Sequence, residues 1–387
     1  MKKIYFTFGV VAIIVQACAQ NTPENTSENK LKEEKKPAIV IPKMEVEYKL
    51  SDFLTENENL DKDVEKIFTS LDDTAIVAQL LMPAVGRLGQ TEATIKDLIN
   101  RRMIGGVLML NGTKDGFTKW IKEFNKLNIA KGNLPFLYSS DAEPSLVNRK
   151  ITGSHIVKKA NEMKTVEEVS AYADTISMDL NAIGINYNFA PVVDMSPNKT
   201  VGFRSFGAVP ANIIPWSNAF IQQTQKNGII ATAKHFPGHG LVSGDTHKEL
   251  QVIDGELKEI KNYPKLIEDG VLSVMIGHLA VKNNPKYDTK GLPSTLSSVI
   301  VTDLLRNEMK FNGLIVTDAM NMGGVTAIPN CDVKAVEAGC DIVLMPVDAK
   351  KAFVQILKKY RTDANFKNQV DASAKRIIRM KLAVGAI

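Results

Sequence analysis

Acids, imidazoles and an amine recur at the ends of successive apolar runs along this chain. Asp141 and Glu143 follow Leu-Tyr-Ser-Ser, and Asp194 follows Pro-Val-Val. Lys234-His235 closes Ile-Ile-Ala-Thr-Ala, His278 follows Met-Ile-Gly, and Asp318 follows Leu-Ile-Val-Thr. Four of the five histidines, His235, His239, His247 and His278, fall within 44 residues of one another. Such groups donate and accept protons or attack electrophilic carbon, and they do so when a fold gathers them in one cleft. Each has a plainer reading taken singly. Asp318 would serve as a helix N-cap, and a buried Asp or His is commonly a hydrogen-bonded structural group. Five run ends furnished in the same way point to an active site instead.

The elements that must position these groups follow one pattern from about residue 50 onward, a short apolar run and then a longer amphipathic stretch. The runs 78–83, 106–110, 134–139, 186–193, 229–234, 274–277, 313–317 and 341–345 read as eight strands. Helical stretches over 91–103, 117–130, 165–183, 211–228 and 296–310 are long enough to return the chain for parallel pairing. The runs are continuously apolar rather than alternating, which suits a sheet covered on both faces. Eight such units in about 300 residues predict an α/β fold, a single (β/α)₈ barrel of TIM type, whose reactive groups sit past the carboxyl ends of the strands. A doubly wound open sheet would carry G-x-G-x-x-G after its first strand. Pro83-Ala84-Val85-Gly86-Arg87-Leu88-Gly89 lacks that order. The segment 365–384 reads as a closing helix.

Composition bounds the rest. The chain has 387 residues, 44% hydrophobic and 24% charged, which excludes wholesale disorder and a multi-span membrane protein. The net charge of +5 comes from scattered lysines with no aromatic-interleaved basic stripe, so no nucleic-acid partner is expected, and no protein partner either. Met1-Lys2-Lys3 and the apolar run 4–15 read as a signal peptide over 1–17. Val15-Gln16-Ala17-Cys18 resembles the lipobox of bacterial lipoproteins, which implies a lipid anchor on Cys18 and an address in a bacterial cell envelope, in the periplasm or at the cell surface. Residues 18–49 read as a polar tether, and 50–387 as the folded body. Cys331 and Cys340 are expected to stay thiols.

Lys234-His235-Phe236-Pro237-Gly238-His239-Gly240, followed after four residues by Asp245-Thr246-His247, resembles the signature of family 3 glycoside hydrolases, and within it the β-N-acetylhexosaminidase branch. Asn188-Phe189-Ala190-Pro191-Val192-Val193-Asp194, Gly202-Phe203-Arg204-Ser205-Phe206-Gly207 and Gly313-Leu314-Ile315-Val316-Thr317-Asp318-Ala319-Met320 match further blocks in the same order. The likeness runs over about 75–346. It implies a retaining double displacement, without metal or organic cofactor, that removes terminal β-linked N-acetylglucosamine, with peptidoglycan fragments as the substrate in view. Asp318 stands at the position of the nucleophile, and His247 at that of the general acid/base, with Asp245 as its partner. Imidazole suits that role because its pKa lies near neutrality. Asp141, Arg149, Arg204, Lys234 and His235 stand where the family holds the sugar hydroxyls. His239 reads as a loop-stabilising residue and His278 as a pocket lining.

One departure stands out. The family carries Asp-x-Glu-Gly-Gly where this chain has Asp141-Ala142-Glu143-Pro144-Ser145, so the loop beside the sugar is expected to be reshaped. Two other readings stay open at this point. One is a metal-dependent hydrolase using His235, His239, His247 and Asp318, against which the absence of H-x-H and H-E-x-x-H spacing counts. The other is a lipid-anchored amino-sugar-binding protein without turnover. Phosphate as the acceptor in place of water is also open.

Overall fold

The computed structural model describes residues 46–387. The signal peptide, Cys18 and most of the tether therefore lie outside the described residues. Near the start of the described residues, the Tyr48 hydroxyl donates to Asp63 at 2.7 Å. Among the described residues, no helix is long and apolar enough to cross a membrane.

The architecture is α/β, a curled parallel sheet with helices packed around it. Its strands are β1 (Leu81–Met82), β2 (Ala84–Val85), β3 (Gly106–Met109), β4 (Leu137–Ser140), β5 (Tyr187–Asn188), β6 (Ile230–Phe236), β7 (Ser273–Ile276), β8 (Leu314–Thr317) and β9 (Val343–Leu344). Parallel pairing runs from β2 through β3, β4, β5, β6 and β7 to β8 in order. A single bridge, Val316 to Ile342, continues it, and β9 pairs with β1 in the register Leu81 to Val343. Every residue of these nine strands is buried, as the unbroken apolar runs require.

Local chemistry sets the helix starts. Thr91, Thr113 and Thr165 each accept a backbone N–H three residues on, and open the helices Glu92–Asn100, Lys114–Ala130 and Val166–Ile183. Gly184, at φ 95°, ends the last of these in the left-handed conformation that a side chain disfavours. Pro210–Lys226 returns the chain to β6, and Ala364–Ala383 closes it.

Three expectations need correction. The run 78–83 was expected to be strand, but Asp72 caps a helix, Asp73–Ala78, that consumes its first residue, and Pro83, lacking an N–H, divides what remains into β1 and β2. The run 186–193 keeps regular pairing only at Tyr187–Asn188, because Pro191 interrupts it and Val192 makes isolated bridges to Ser205 and Lys234. The stretch 296–310 holds a short 3₁₀ turn, Ser294–Leu296, and then a π-helix, Val299–Glu308. A further helix, Ala349–Thr362, was not singled out from the sequence.

Candidate active site

The loop after β4 carries Asp141 and Glu143 into a buried cluster of five charges. Lys234, from the end of β6 and 1% exposed, places Nζ 2.9 Å from Asp141 Oδ1 and 2.5 Å from Glu143 Oε1. Lys150 reaches the other Asp141 oxygen at 2.6 Å. Arg204 grips Glu143 with two parallel bonds, Nε to Oε2 at 2.7 Å and Nη2 to Oε1 at 2.6 Å. Burial alone would raise both acids. The adjacent cations outweigh it, holding Asp141 well below the usual carboxylate range and Glu143 down at about 2. The same contacts raise Lys234 and Arg204 against the pull of burial. Asp141, Glu143, Lys234 and Arg204 are thus held in their charged forms, which suits them to grip neutral hydroxyls by directional hydrogen bonds.

Arg149 does not join it. Arg149 is exposed, and the residue beside Asp141 is its neighbour Lys150. The loop that carries Asp141 is tied to a neighbouring segment. The Ser145 hydroxyl donates to Phe203 O at 2.7 Å and accepts from Ala160 N at 2.9 Å, tying the loop to the segment that bears Arg204. The turn Val147–Lys150 that follows turns Lys150 inward. Nothing in the motif marked Lys150, since it lies one position beyond it.

Past β5, Asp194 organises the second half. It is 1% exposed and accepts from His235 N at 3.1 Å and His239 N at 2.8 Å, while His235 Nδ1 lies 2.6 Å from its other oxygen. Burial would raise this carboxyl, and the neighbouring His235 and His239 bring it below its ordinary value. The β6–β7 register slips between Met275 and Ile276, so Lys234 and Phe236 have partners on β7 and His235 falls between them. Glu259, which no motif flagged, accepts from Met195 N at 2.6 Å, Gly240 N at 3.0 Å and Leu241 N at 3.1 Å. Burial, then the negative Asp194, pushes it up to about 8, although three amide donors favour its ionised form. Asn198 is a second unflagged anchor. Its side-chain amide donates to the carbonyls of Val242 and Gly244, and its backbone N–H to Gly240 O at 2.9 Å. Together Glu259 and Asn198 fix the base of the loop that carries Asp245 and His247.

At the tip of that loop His247 Nδ1 lies 2.7 Å from Asp245 Oδ1, with the His247 side chain 60% exposed. Asp245 is lowered because the His247 contacts outweigh its burial. A carboxylate on Nδ1 holds the proton there and leaves Nε2 free to exchange one. The tip is docked by Gly323 N to His247 O at 3.0 Å and Gly324 N to Thr246 O at 3.2 Å, and the Thr246 hydroxyl lies 2.9 Å from His239 Nε2. Asp318 follows β8. Its N–H donates to Ile276 O at 2.8 Å, and its Oδ1 accepts from Ala319 N at 2.8 Å. Burial would raise the Asp318 carboxyl; His235, His278, the Ala319 amide and His247 bring it below its ordinary value, so it is ionised. His278 is fully buried between Thr295 Oγ1 at 2.9 Å and Ala319 O at 3.0 Å, and burial lowers its pKa. A carbonyl can only accept, so Nε2 carries the proton and His278 is a neutral strut behind Asp318. Among the described residues no three His, Cys, Asp or Glu side chains are grouped so as to hold a metal ion.

A family model described as the glycosyl hydrolase family 3 N terminal domain matches residues 73–380, most of the chain. The chain belongs to glycosyl hydrolase family 3. Within the family it is similar to a beta-hexosaminidase of Idiomarina loihiensis, 28% identical over 331 residues that cover 80% of this chain and 94% of that protein. A beta-hexosaminidase of Hydrogenovibrio crunogenus is 34% identical over 211 residues, 51% of this chain and 58% of the relative. A solved family 3 beta-N-acetylglucosaminidase from Paenibacillus superposes with a TM-score of 0.75 at 28% identity, covering 82% of this chain and 63% of that one. The chain thus spans under two thirds of the length of these last two proteins. The family 3 match includes Asp141, Asp194, Arg204, Lys234, His235, Asp245, His247 and Asp318.

Proposed function

We propose that the protein is a retaining β-N-acetylhexosaminidase that hydrolyses terminal β-linked N-acetylglucosamine. One observation carries this reading. An ionised Asp318 lies within electrostatic reach of a hydrogen-bonded Asp245–His247 pair, at the same end of the sheet as the charged cluster of Asp141, Glu143, Lys150, Lys234 and Arg204. In the first step an Asp318 oxygen bonds to the anomeric carbon as the bond to the leaving oxygen breaks, and protonated His247 gives that oxygen its proton. In the second step His247 takes a proton from water. The resulting hydroxide oxygen bonds to the anomeric carbon, and Asp318 leaves as carboxylate. Asp245 stabilises the imidazolium that enters the first step and is formed again in the second. The charged cluster grips the ring hydroxyls, with Lys150 in the role that the motif assigned to Arg149.

The finer points of the reading are these. The sheet is a single (β/α)₈ barrel, supported by the pairing that runs on through Val316–Ile342 and β9 back to β1. The natural substrates are peptidoglycan fragments, and the protein acts from a bacterial envelope through a lipid on Cys18. That address rests on the sequence of residues 1–18.

The test is release of a chromogenic phenol from its β-N-acetylglucosaminide by the wild type and by Asp318→Asn. Turnover in the wild type that falls about 10³-fold or more in the variant is the expected result. Amino-sugar binding with no turnover in the wild type would refute the reading in favour of a binding protein.

A further inference from the structure

We propose that Gly323 and Gly324 are positioning residues for the acid/base, forming the seat on which the Asp245–His247 loop tip docks. The inference rests on the role given to His247 above. The two glycine amides donate to the carbonyls of His247 and Thr246 themselves, at 3.0 and 3.2 Å. A Cβ on Gly323 would lie 2.1 Å from Lys248 O and 3.0 Å from His247 O, and one on Gly324 would lie 3.2 Å from both Thr246 O and His278 Cβ. The first approach is to rigid backbone and closer than any Cβ tolerates. A side chain at 323 and a docked His247 therefore exclude one another.

The seat is part of the frame that holds the nucleophile. It begins five residues beyond Asp318, and the intervening segment is held by Met320 N to Leu344 O at 2.9 Å and Met322 N to Ala319 O at 3.1 Å. The base of the His247 loop is fixed elsewhere, by Glu259 and Asn198. Between these anchors the tip is held by the glycine amides and by the Thr246–His239 contact. The glycines thus set the spacing between proton donor and nucleophile, while the loop base can stay in place when the tip lifts.

The test compares two aryl β-N-acetylglucosaminides, one with a poor leaving group that needs a proton (4-methoxyphenol) and one that does not (2,4-dinitrophenol). For Gly323→Ala, with folding checked by thermal melting, kcat/KM on the methoxyphenyl glycoside is expected to fall about 10-fold or more. On the dinitrophenyl glycoside it stays within about 3-fold of wild type, and azide restores kcat by replacing water without a base. In a His247→Ala background the glycine substitution adds no further loss. Gly324→Ala, with its milder approach, shows the same pattern at smaller amplitude and serves if Gly323→Ala does not fold. Equal losses on both glycosides, or full additivity with His247→Ala, would overturn the seat while leaving the enzyme reading intact. A wild type that cleaves neither glycoside overturns the reading of His247 and the seat with it.

Discussion

Removing Lys234 and removing Glu143 should destabilise the protein unequally, and the charges around them set the order. The cluster holds two carboxylates, Asp141 and Glu143, against three cations, Lys150, Lys234 and Arg204. In Lys234→Met each carboxylate keeps a cation, Asp141 with Lys150 and Glu143 with Arg204. The loss then lies at the low end of the cost of breaking a buried pair, about 3 kcal/mol. In Glu143→Gln three cations face one carboxylate, and the guanidinium of Arg204, whose side chain is 11% exposed, loses a charge partner that accepted two bonds. That loss lies at the upper end, about 5 kcal/mol. At about 2 °C per kcal/mol for a body of this size, the Tm shifts are about 6 and 10 °C. Urea unfolding followed through Trp120 and Trp216, with calorimetry, reads both. A Lys234→Met that costs more than Glu143→Gln, or a pair of variants each within about 1 kcal/mol of wild type, would refute the picture of a buried and mutually dependent cluster.

Acid should act through the same groups. Glu143 is lowered from 4.5 to about 2 in the folded state, so its contribution is present above pH 4.5 and lost as the pH falls toward 2, about 3 kcal/mol in all. Asp141 acts with the same sign. Stability measured from pH 6 to 2 should fall in that window, and the fall should shrink in Glu143→Gln; an unchanged slope would refute the assignment. Ser145→Ala removes the tie to Phe203 O and Ala160 N, so KM for the glycoside should rise several-fold with kcat nearly kept, because Arg204 loosens while Asp318 and His247 stay. An unchanged KM would count against that tie.

The residues proposed to react are legible in the sequence to the extent that they sit within local motifs. Asp318, Lys234 and His235 lie at strand ends and Asp245 and His247 in the loop after β6, each within a contiguous motif. Arg149 shows where such reading stops. Its motif runs through a loop that carries Pro144-Ser145, where Ser145 reaches Phe203, 58 residues away, and Lys150 rather than Arg149 faces Asp141. Glu259 and Asn198 left no trace because their partners are backbone amides and carbonyls, which every sequence offers at every position. The strands were placed by their apolar runs to within a few residues. The errors at Ala78 and Val192 came from a capping Asp and an internal Pro, which decide boundaries more finely than hydrophobicity does.

The closing helix Ala364–Ala383 has a bearing on how the chain reaches this state. Lys381, buried and lowered by burial to about 7, gives its Nζ to Gln79 Oε1 at 2.6 Å and to Gly105 O at 2.9 Å, bonds that join residues as far as 302 positions apart. The first strand also waits long for its β9 neighbour, since Leu81 pairs with Val343. At ribosomal rates of roughly 5–20 residues per second, a nascent β1 waits on the order of 13–52 s for its other side. For that interval it is an open, apolar edge able to pair with any strand that passes. A chain shortened before Val343 would keep that edge permanently, and so would end as aggregate rather than as a smaller working protein.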